Sequence, residues 1–116
     1  RCRLVGSEMC IRDSGRTMQQ MPMYFQYYED YMANAKRLDI ESAASKIEIP
    51  WLIVHGEDDA TVPVSTAFKL HELNQNSELF VIAQGNHTFG GKHPWLESKL
   101  PHDTQLWLDR MFAFLE

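Results

Sequence analysis

Two short apolar stretches, with one helical stretch between them, constrain the fold of this chain most strongly. Trp-Leu-Ile-Val-His at 51–55 and Ser-Glu-Leu-Phe-Val-Ile-Ala at 77–83 have the length and composition of buried strands. Residues 64–73 separate them and carry apolar side chains at helical spacing. A strand, a helix and a second strand in this order predict parallel pairing through a helical crossover, and therefore an α/β fold.

Helical patterns flank this unit on both sides. The spacing predicts helix over most of 18–45, with 40–45 as a second, short helix, and a closing helix over 103–116. Met and Tyr side chains between 21 and 32 fall at helical spacing and are expected to pack in a core or to line a substrate pocket. In the closing helix, the stripe expected to face the core consists of Leu108, Met111, Phe112 and Leu115.

Two strands alone make an incomplete sheet, because parallel sheets are normally broader and covered on both faces. We therefore expect this chain of 116 residues to be the C-terminal part of a larger α/β domain. Its net charge of −5 argues against a nucleic-acid partner, since no basic stripe is present to neutralise phosphates. The sequence contains no apolar run long enough to cross a bilayer, so no membrane partner is predicted.

Both predicted strands are followed by loops with chemically useful side chains. The first loop offers Asp58 and Asp59, and the second offers His87 within Gly-Asn-His. Functional groups of open α/β sheets collect just beyond the carboxyl ends of the strands. An imidazole that acts as a general base needs a carboxylate to fix its tautomer. One of the two aspartates and His87 would make such a pair.

These loops resemble those of the α/β-hydrolases. Gly56-Glu57-Asp58-Asp59-Ala60-Thr61-Val62-Pro63 is similar to the family's acid loop, and Gly85-Asn86-His87-Thr88-Phe89 is similar to its histidine loop. Residues 37–56 also resemble the family's lead-in to the acid strand, and the resemblance covers about 16–116. The stretch His-Thr-Phe-Gly-Gly-Lys-His-Pro-Trp is most similar to dienelactone-hydrolase-like esterases.

The resemblance implies a Ser-His-Asp triad with Asp59 as its acid and His87 as its base. Asp58 falls one position early and is expected to face solvent. The parent enzyme would hydrolyse a small-molecule carboxylic ester or lactone, or a small peptide, since related folds also cut amide bonds, and it would need no cofactor. The oligomeric state is left open.

The nucleophile of the family does not match any residue here. The family carries it as serine in Gly-x-Ser-x-Gly on a strand-to-helix turn. None of the serines stands in that frame; they are Ser7, Ser14, Ser42, Ser45, Ser65, Ser77 and Ser98. The chain alone is therefore expected not to hydrolyse an ester.

Two other functions fit the residues. The first is a non-catalytic binding domain of the same fold, whose nucleophile has been substituted. The second is a metal-dependent hydrolase with a divalent ion on His55, Asp58 or Asp59, His87 and His93. The spacing of these residues matches no established ligand signature.

The first fourteen residues show neither a helical nor a strand period. Glu-Met-Cys-Ile-Arg-Asp-Ser at 8–14 resembles the translated end of a transposon-based sequencing adapter. We therefore predict that residues 1–14 are a non-native segment and that 15–116 belong to a single domain. Both cysteines, Cys2 and Cys10, lie in this segment, so they indicate nothing about a redox compartment.

Overall fold

The computed structural model describes residues 2–5, 9–13 and 20–116, with side chains from Tyr24 onward. The chain divides into two compact units, Arg1–Asp39 and Ile40–Glu116.

The described residues of the first unit form three strands and one helix. Strands β1 (Cys2–Val5), β2 (Met9–Asp13) and β3 (Gln20–Tyr24) form an antiparallel sheet in the order β1-β2-β3, followed by α1 (Phe25–Ala33). The helix predicted from residue 18 is therefore wrong at 20–24, whereas residues 18 and 19 lie outside the described residues. In the segment without a recognised period, residues 2–5 and 9–13 form strands. Pro22, a residue that also suits the first turn of a helix, lies in β3 and pairs with Ile11 of β2. A proline cannot donate to a neighbour, and the edge position of β3 accommodates it. Whether residues 1–14 derive from an adapter stays a prediction.

Helix α1 does not bury the aromatic stripe that the pattern led us to expect. It has no buried residue, and its large side chains at Tyr27, Tyr28, Tyr31 and Met32 are exposed. The expectation that these side chains pack in a core is wrong for this unit. Helical spacing records which residues share a face, but not whether another element covers that face.

The second unit follows the predicted order of elements. It consists of α2 (Ile40–Ala44), β4 (Trp51–Gly56), α3 (Val64–Leu73), β5 (Ser77–Ile82) and α4 (His102–Leu115). Strands β4 and β5 are parallel, in register from Trp51 opposite Ser77 to Gly56 opposite Ile82. Helix α3 makes the crossover between them and packs against both strands and α2. The chain is thus an α/β protein, as the alternation of patterns predicts.

The core of this unit is small. Its buried apolar side chains are Ala44, Ile53, Ala67 and Ile82. Helix α4 also packs against β4 and β5, and a cavity of about 480 Å³ lies between this helix and β4. The cavity walls are mainly aliphatic and aromatic, and they are formed by Pro50, Trp51, Leu52, Val54, Phe89, Trp107, Met111, Phe114 and Leu115.

The predicted stripe of α4 is only partly correct. Leu108 and Met111 are partly buried, but Phe112 is 59% exposed and Leu115 is 70% exposed. Two strands offer α4 a narrow surface, so the outer part of the stripe remains uncovered within the described residues. Of the helices described between residues 25 and 115, none combines the length and apolar composition needed to span a bilayer.

A buried amide joins the first helix of this unit to the start of β5. Asn74 is 4% exposed, and its Nδ2 donates to the carbonyl oxygens of Ala44 at 2.7 Å and Ile47 at 2.8 Å. Its Oδ1 accepts the N–H of Asn76 at 2.8 Å. Buried polar groups are retained where their hydrogen bonds are satisfied, so Asn74 fixes how the chain leaves α3 and enters β5.

Candidate functional site

The carboxyl ends of β4 and β5 lie side by side, and the two loops leave from this edge. The pairing continues beyond the strands, since the N–H of Glu57 donates to the carbonyl of Ile82 at 2.9 Å. The N–H of Asp58 then donates to the carbonyl of Gly85, also at 2.9 Å. The acid loop and the histidine loop are therefore joined through their backbones before either functional side chain is reached.

The carboxylate of Asp59 is held by the turn that follows it. Its Oδ1 accepts the N–H of Thr61 at 2.8 Å and the N–H of Val62 at 2.9 Å. Aspartate commonly caps its own turn in this way, so the short Asp-Ala-Thr-Val sequence explains the conformation. These donors precede α3, which begins at Val64, so the turn, and not the amino end of that helix, holds this carboxylate. Only 5% of the Asp59 side chain is accessible.

The second oxygen of Asp59 contacts the histidine predicted from the other loop. Asp59 Oδ2 lies 2.8 Å from Nδ1 of His87. Because a carboxylate only accepts hydrogen bonds, Nδ1 of His87 is the donor and carries a hydrogen. The His87 side chain is 47% exposed, and its Nε2 makes no hydrogen bond within 24–116. Asp58 is exposed, so of the two adjacent aspartates it is Asp59 that reaches the imidazole.

The pKa of Asp59 is lowered from 3.8 to about 2. Burial alone raises the pKa of this carboxyl, because burial penalises its charged form. The hydrogen bonds from the Val62 N–H, the His87 ring and the Thr61 N–H outweigh burial, and the positive charge available on His87 acts in the same direction. The carboxylate is thus ionised and ready to stabilise an imidazolium.

The histidine loop is held by the residue before His87. Asn86 Oδ1 accepts the N–H of Thr88 at 3.1 Å and the N–H of Gly90 at 3.0 Å. Gly90 has a φ of +82°, a region that side chains rarely occupy. Farther along, Thr104 Oγ1 donates to the Phe89 carbonyl at 2.9 Å and ties the loop to α4.

A further hydrogen bond connects the two loops. Glu57 Oε2 accepts the N–H of Gln84 at 3.0 Å. Gln84 has a φ of 57°, in the left-handed region that costs a residue other than glycine free energy. This contact holds the chain in a turn three residues before His87.

His55, the last residue of β4 before Gly56, lies beneath the acid loop. Its Nε2 is 2.9 Å from the carbonyl oxygen of Val62 and 3.5 Å from Asp59 Oδ2. Its side chain is 15% exposed. From the sequence, His55 is one expected ligand of the alternative metal site.

The metal alternative gains no support from the geometry. Across the part of the chain that the structure describes, no group of three or more His, Cys, Asp and Glu side chains is arranged to hold a metal ion. His93, the fourth proposed ligand, is exposed on the loop that precedes α4.

Several residues that shape the site were missed by the sequence reasoning. Glu57 and Thr104 contact the histidine loop from positions 27 and 15 residues away, which no local pattern reveals. Asn86 had a signal, because an asparagine ahead of Thr and Gly-Gly is typical of a side chain that closes a turn.

The comparisons with known proteins point to a hydrolase. No family model matches the chain. A stretch of 49 residues is 41% identical to the 2-hydroxy-6-oxo-6-(2'-aminophenyl)hexa-2,4-dienoic acid hydrolase of Metapseudomonas resinovorans. The match covers 42% of this chain and 17% of the relative's length. This similarity supports the relationship to the α/β-hydrolases that the two loop motifs predict.

Proposed function

We propose that this chain is the C-terminal part of a serine hydrolase of the α/β-hydrolase type, in which Asp59 and His87 are the acid and the base of a Ser-His-Asp triad. The hydrogen bond between Asp59 Oδ2 and His87 Nδ1 carries this proposal. The partial match to a hydrolase supports the reaction type. The nucleophile and the donors that stabilise the oxyanion are assigned to a part of the protein outside these 116 residues.

The hydrogen bond between Asp59 and His87 indicates which ring nitrogen would act as the base. With Nδ1 of His87 bonded to the carboxylate, Nε2 is the ring atom that remains to accept a proton. It takes the proton of the serine hydroxyl as that oxygen attacks the carbonyl carbon, and returns it to the leaving alcohol. A water then repeats the sequence on the acyl-enzyme. Asp59 remains ionised throughout and stabilises the imidazolium.

The substrate class proposed is a small-molecule carboxylic ester or lactone, on the resemblance of the histidine loop to dienelactone-hydrolase-like esterases. The reaction needs no cofactor. The relative named above acts on a substituted hexadienoic acid, so unsaturated acid derivatives are included among the test substrates. Without its nucleophile a triad loses nearly all of its activity, so the chain alone is expected to be inactive.

The test begins with the coding sequence upstream of Gly15. The longer polypeptide is expressed and assayed with p-nitrophenyl esters, lactones and a dienoic acid derivative, and its serine is labelled with a fluorophosphonate. We expect turnover, labelling of a serine in Gly-x-Ser-x-Gly, and a loss of kcat of about 10⁴-fold in Asp59→Asn. Asp58→Asn is the matched control and should retain activity.

Two results would reject the proposal. A substituted serine together with tight binding but no turnover would favour the non-catalytic binding domain. Equal losses of activity in Asp58→Asn and Asp59→Asn would remove Asp59 from the catalytic pair.

A further inference from the structure

His55 stands at the junction between a rigid strand and the acid loop. It is the last residue but one of β4, which is paired along its length with β5. The chain returns seven residues later at Val62, whose carbonyl oxygen lies 2.9 Å from His55 Nε2. The ring therefore spans the base of the loop that carries Asp59.

The chemistry of its neighbours fixes the protonation of this nitrogen. His55 Nε2 faces the carbonyl oxygen of Val62 and, at 3.5 Å, Oδ2 of Asp59. Both oxygens are acceptors only, so an unprotonated Nε2 would direct its lone pair at the lone pairs of these two oxygens, which is unfavourable. The nitrogen consequently bears a hydrogen and donates it to the carbonyl, the nearer of the two oxygens.

Val62 transmits this contact to the carboxylate. Its carbonyl accepts the His55 hydrogen, and its N–H donates to Asp59 Oδ1 at 2.9 Å. The residue is thus held from both of its backbone polar groups. The N–H groups of Val62 and Thr61 together fix Asp59 Oδ1. The position of Val62 therefore determines how the carboxylate is oriented and where its Oδ2 points.

We propose that His55 is the positioning residue of the site: by donating from Nε2 to the Val62 carbonyl, it fixes the turn that directs Asp59 Oδ2 toward His87 Nδ1. It is not a catalytic residue, because it acts through Val62 and Asp59. The expected effect of His55 on catalysis rests on the proposed function. The effect of His55 on the position of Asp59 does not, because it depends only on hydrogen bonds within this chain.

The first test needs no substitution. The chain, labelled with ¹⁵N in its histidine rings, is studied by NMR at about pH 8, where histidine side chains in general are neutral. The ring nitrogen shifts distinguish the two tautomers. We expect the hydrogen on Nε2 in His55 and on Nδ1 in His87. A His55 ring that carries its hydrogen on Nδ1 overturns the proposal, because Nε2 could not then donate.

The second test removes the donor and then restores it. His55→Phe keeps a planar ring without a hydrogen to donate, and His55→Gln returns an N–H close to the position of Nε2. In His55→Phe we expect hydrogen exchange at the Val62 and Thr61 amides to accelerate about fivefold, the effect of losing one hydrogen bond. We also expect the His87 ring to lose its preference for the Nδ1–H tautomer. His55→Gln should recover most of both properties.

A matched control separates positioning from general loosening. His71 is another partly buried histidine, with Nδ1 at 2.7 Å from Ser77 Oγ, and it lies outside the acid loop. His71→Phe should leave the Val62 amide and the His87 tautomer unchanged. Equal effects in His71→Phe and His55→Phe, or no effect in His55→Phe, reject the proposal. If His55→Phe does not fold, the tautomer of the unsubstituted chain and the His55→Gln spectra decide.

Activity of the longer polypeptide distinguishes this inference from the proposed function. If that polypeptide hydrolyses esters, His55→Phe should lower kcat at least tenfold with little change in KM, and His55→Gln should restore it. If the enzyme is active and His55→Phe does not change its activity, only the role of His55 is rejected. If the longer polypeptide is inactive but this chain shows the expected NMR changes, only the proposed function is rejected.

Discussion

A Cβ atom on Gly56 would overlap the carbonyl oxygen of Gly85. The ends of β4 and β5 can approach this closely only because residue 56 has no side chain. The same approach brings the Asp58 N–H within 2.9 Å of that carbonyl and sets the spacing of the two loops. The glycine of the acid loop thus has a steric role that precedes any chemistry at Asp59.

The first prediction concerns Gly56→Ala. The added methyl group meets backbone atoms, which cannot rotate away as a side chain can, so the loops must separate. We expect the free energy of unfolding to fall by about 1–3 kcal/mol, the usual cost of overpacking. Urea unfolding measures it. Ala83→Ser, an exposed change beside the same loop, should stay within about 0.5 kcal/mol of the unsubstituted chain.

The second prediction concerns acid stability. The pKa of Asp59 is lowered to about 2, so its ionised form is favoured by the fold. The resulting stabilisation is complete above the ordinary value of 3.8 and is lost as the pH falls through about 2. Between about pH 4 and pH 2 the unsubstituted chain should therefore lose more stability than Asp59→Asn, which has no carboxyl to protonate at this position.

Urea midpoints at a series of pH values measure this difference. Asp58→Asn is the control, since its exposed side chain lies next to Asp59 and outside the hydrogen-bonded pair. It should follow the unsubstituted chain across the range. Parallel curves for Asp59→Asn and the unsubstituted chain would show that the fold does not favour the ionised carboxylate.

The parts of the structure that could be predicted are those determined by local periodicity. The helix 64–73 was predicted with the bounds that the structure has, and both parallel strands were predicted to within one residue. The resemblance to the acid loop of the α/β-hydrolases favours Asp59 over Asp58, and the structure brings Asp59 together with His87. Their catalytic role stays a proposal.

The failures have a common physical origin. The strand at 20–24 was taken for helix because Pro22 suits both a helix start and an edge strand, and only pairing with β2 distinguishes them. Hydrogen bonds such as Glu57 to Gln84 depend on how two loops meet in space. The spacing of residues along one segment does not determine which strand pairs with which, or whether another element packs on the apolar face of a helix.

The third prediction concerns Asn74, whose amide joins Ala44 and Ile47 to the turn before β5. Asn74→Ala removes one hydrogen-bond partner from each of three backbone groups, and we expect a loss of about 2–3 kcal/mol in urea unfolding. Asn74→Asp has nearly the same volume but cannot donate to the two carbonyls when ionised, so it should be at least as destabilising.

Asn76→Ala provides the comparison for this position. The side chain of Asn76 is exposed, and only its backbone N–H takes part in the network. We expect a change of less than about 0.5 kcal/mol. A loss as large as that of Asn74→Ala would mean that the turn, and not the buried amide, requires asparagine.

The fourth prediction separates the covered and uncovered sides of α4. Phe112 is 59% exposed, whereas Phe114 is partly buried and lines the cavity against β4. Phe112→Lys should leave the free energy of unfolding within about 0.5 kcal/mol and reduce self-association, because it removes an exposed apolar surface. Phe114→Lys should cost more than about 2 kcal/mol, since it places a charge against an apolar wall. Urea unfolding and light scattering over a concentration series measure both effects. Equal destabilisation by the two substitutions would contradict the assignment of Phe112 to the uncovered side.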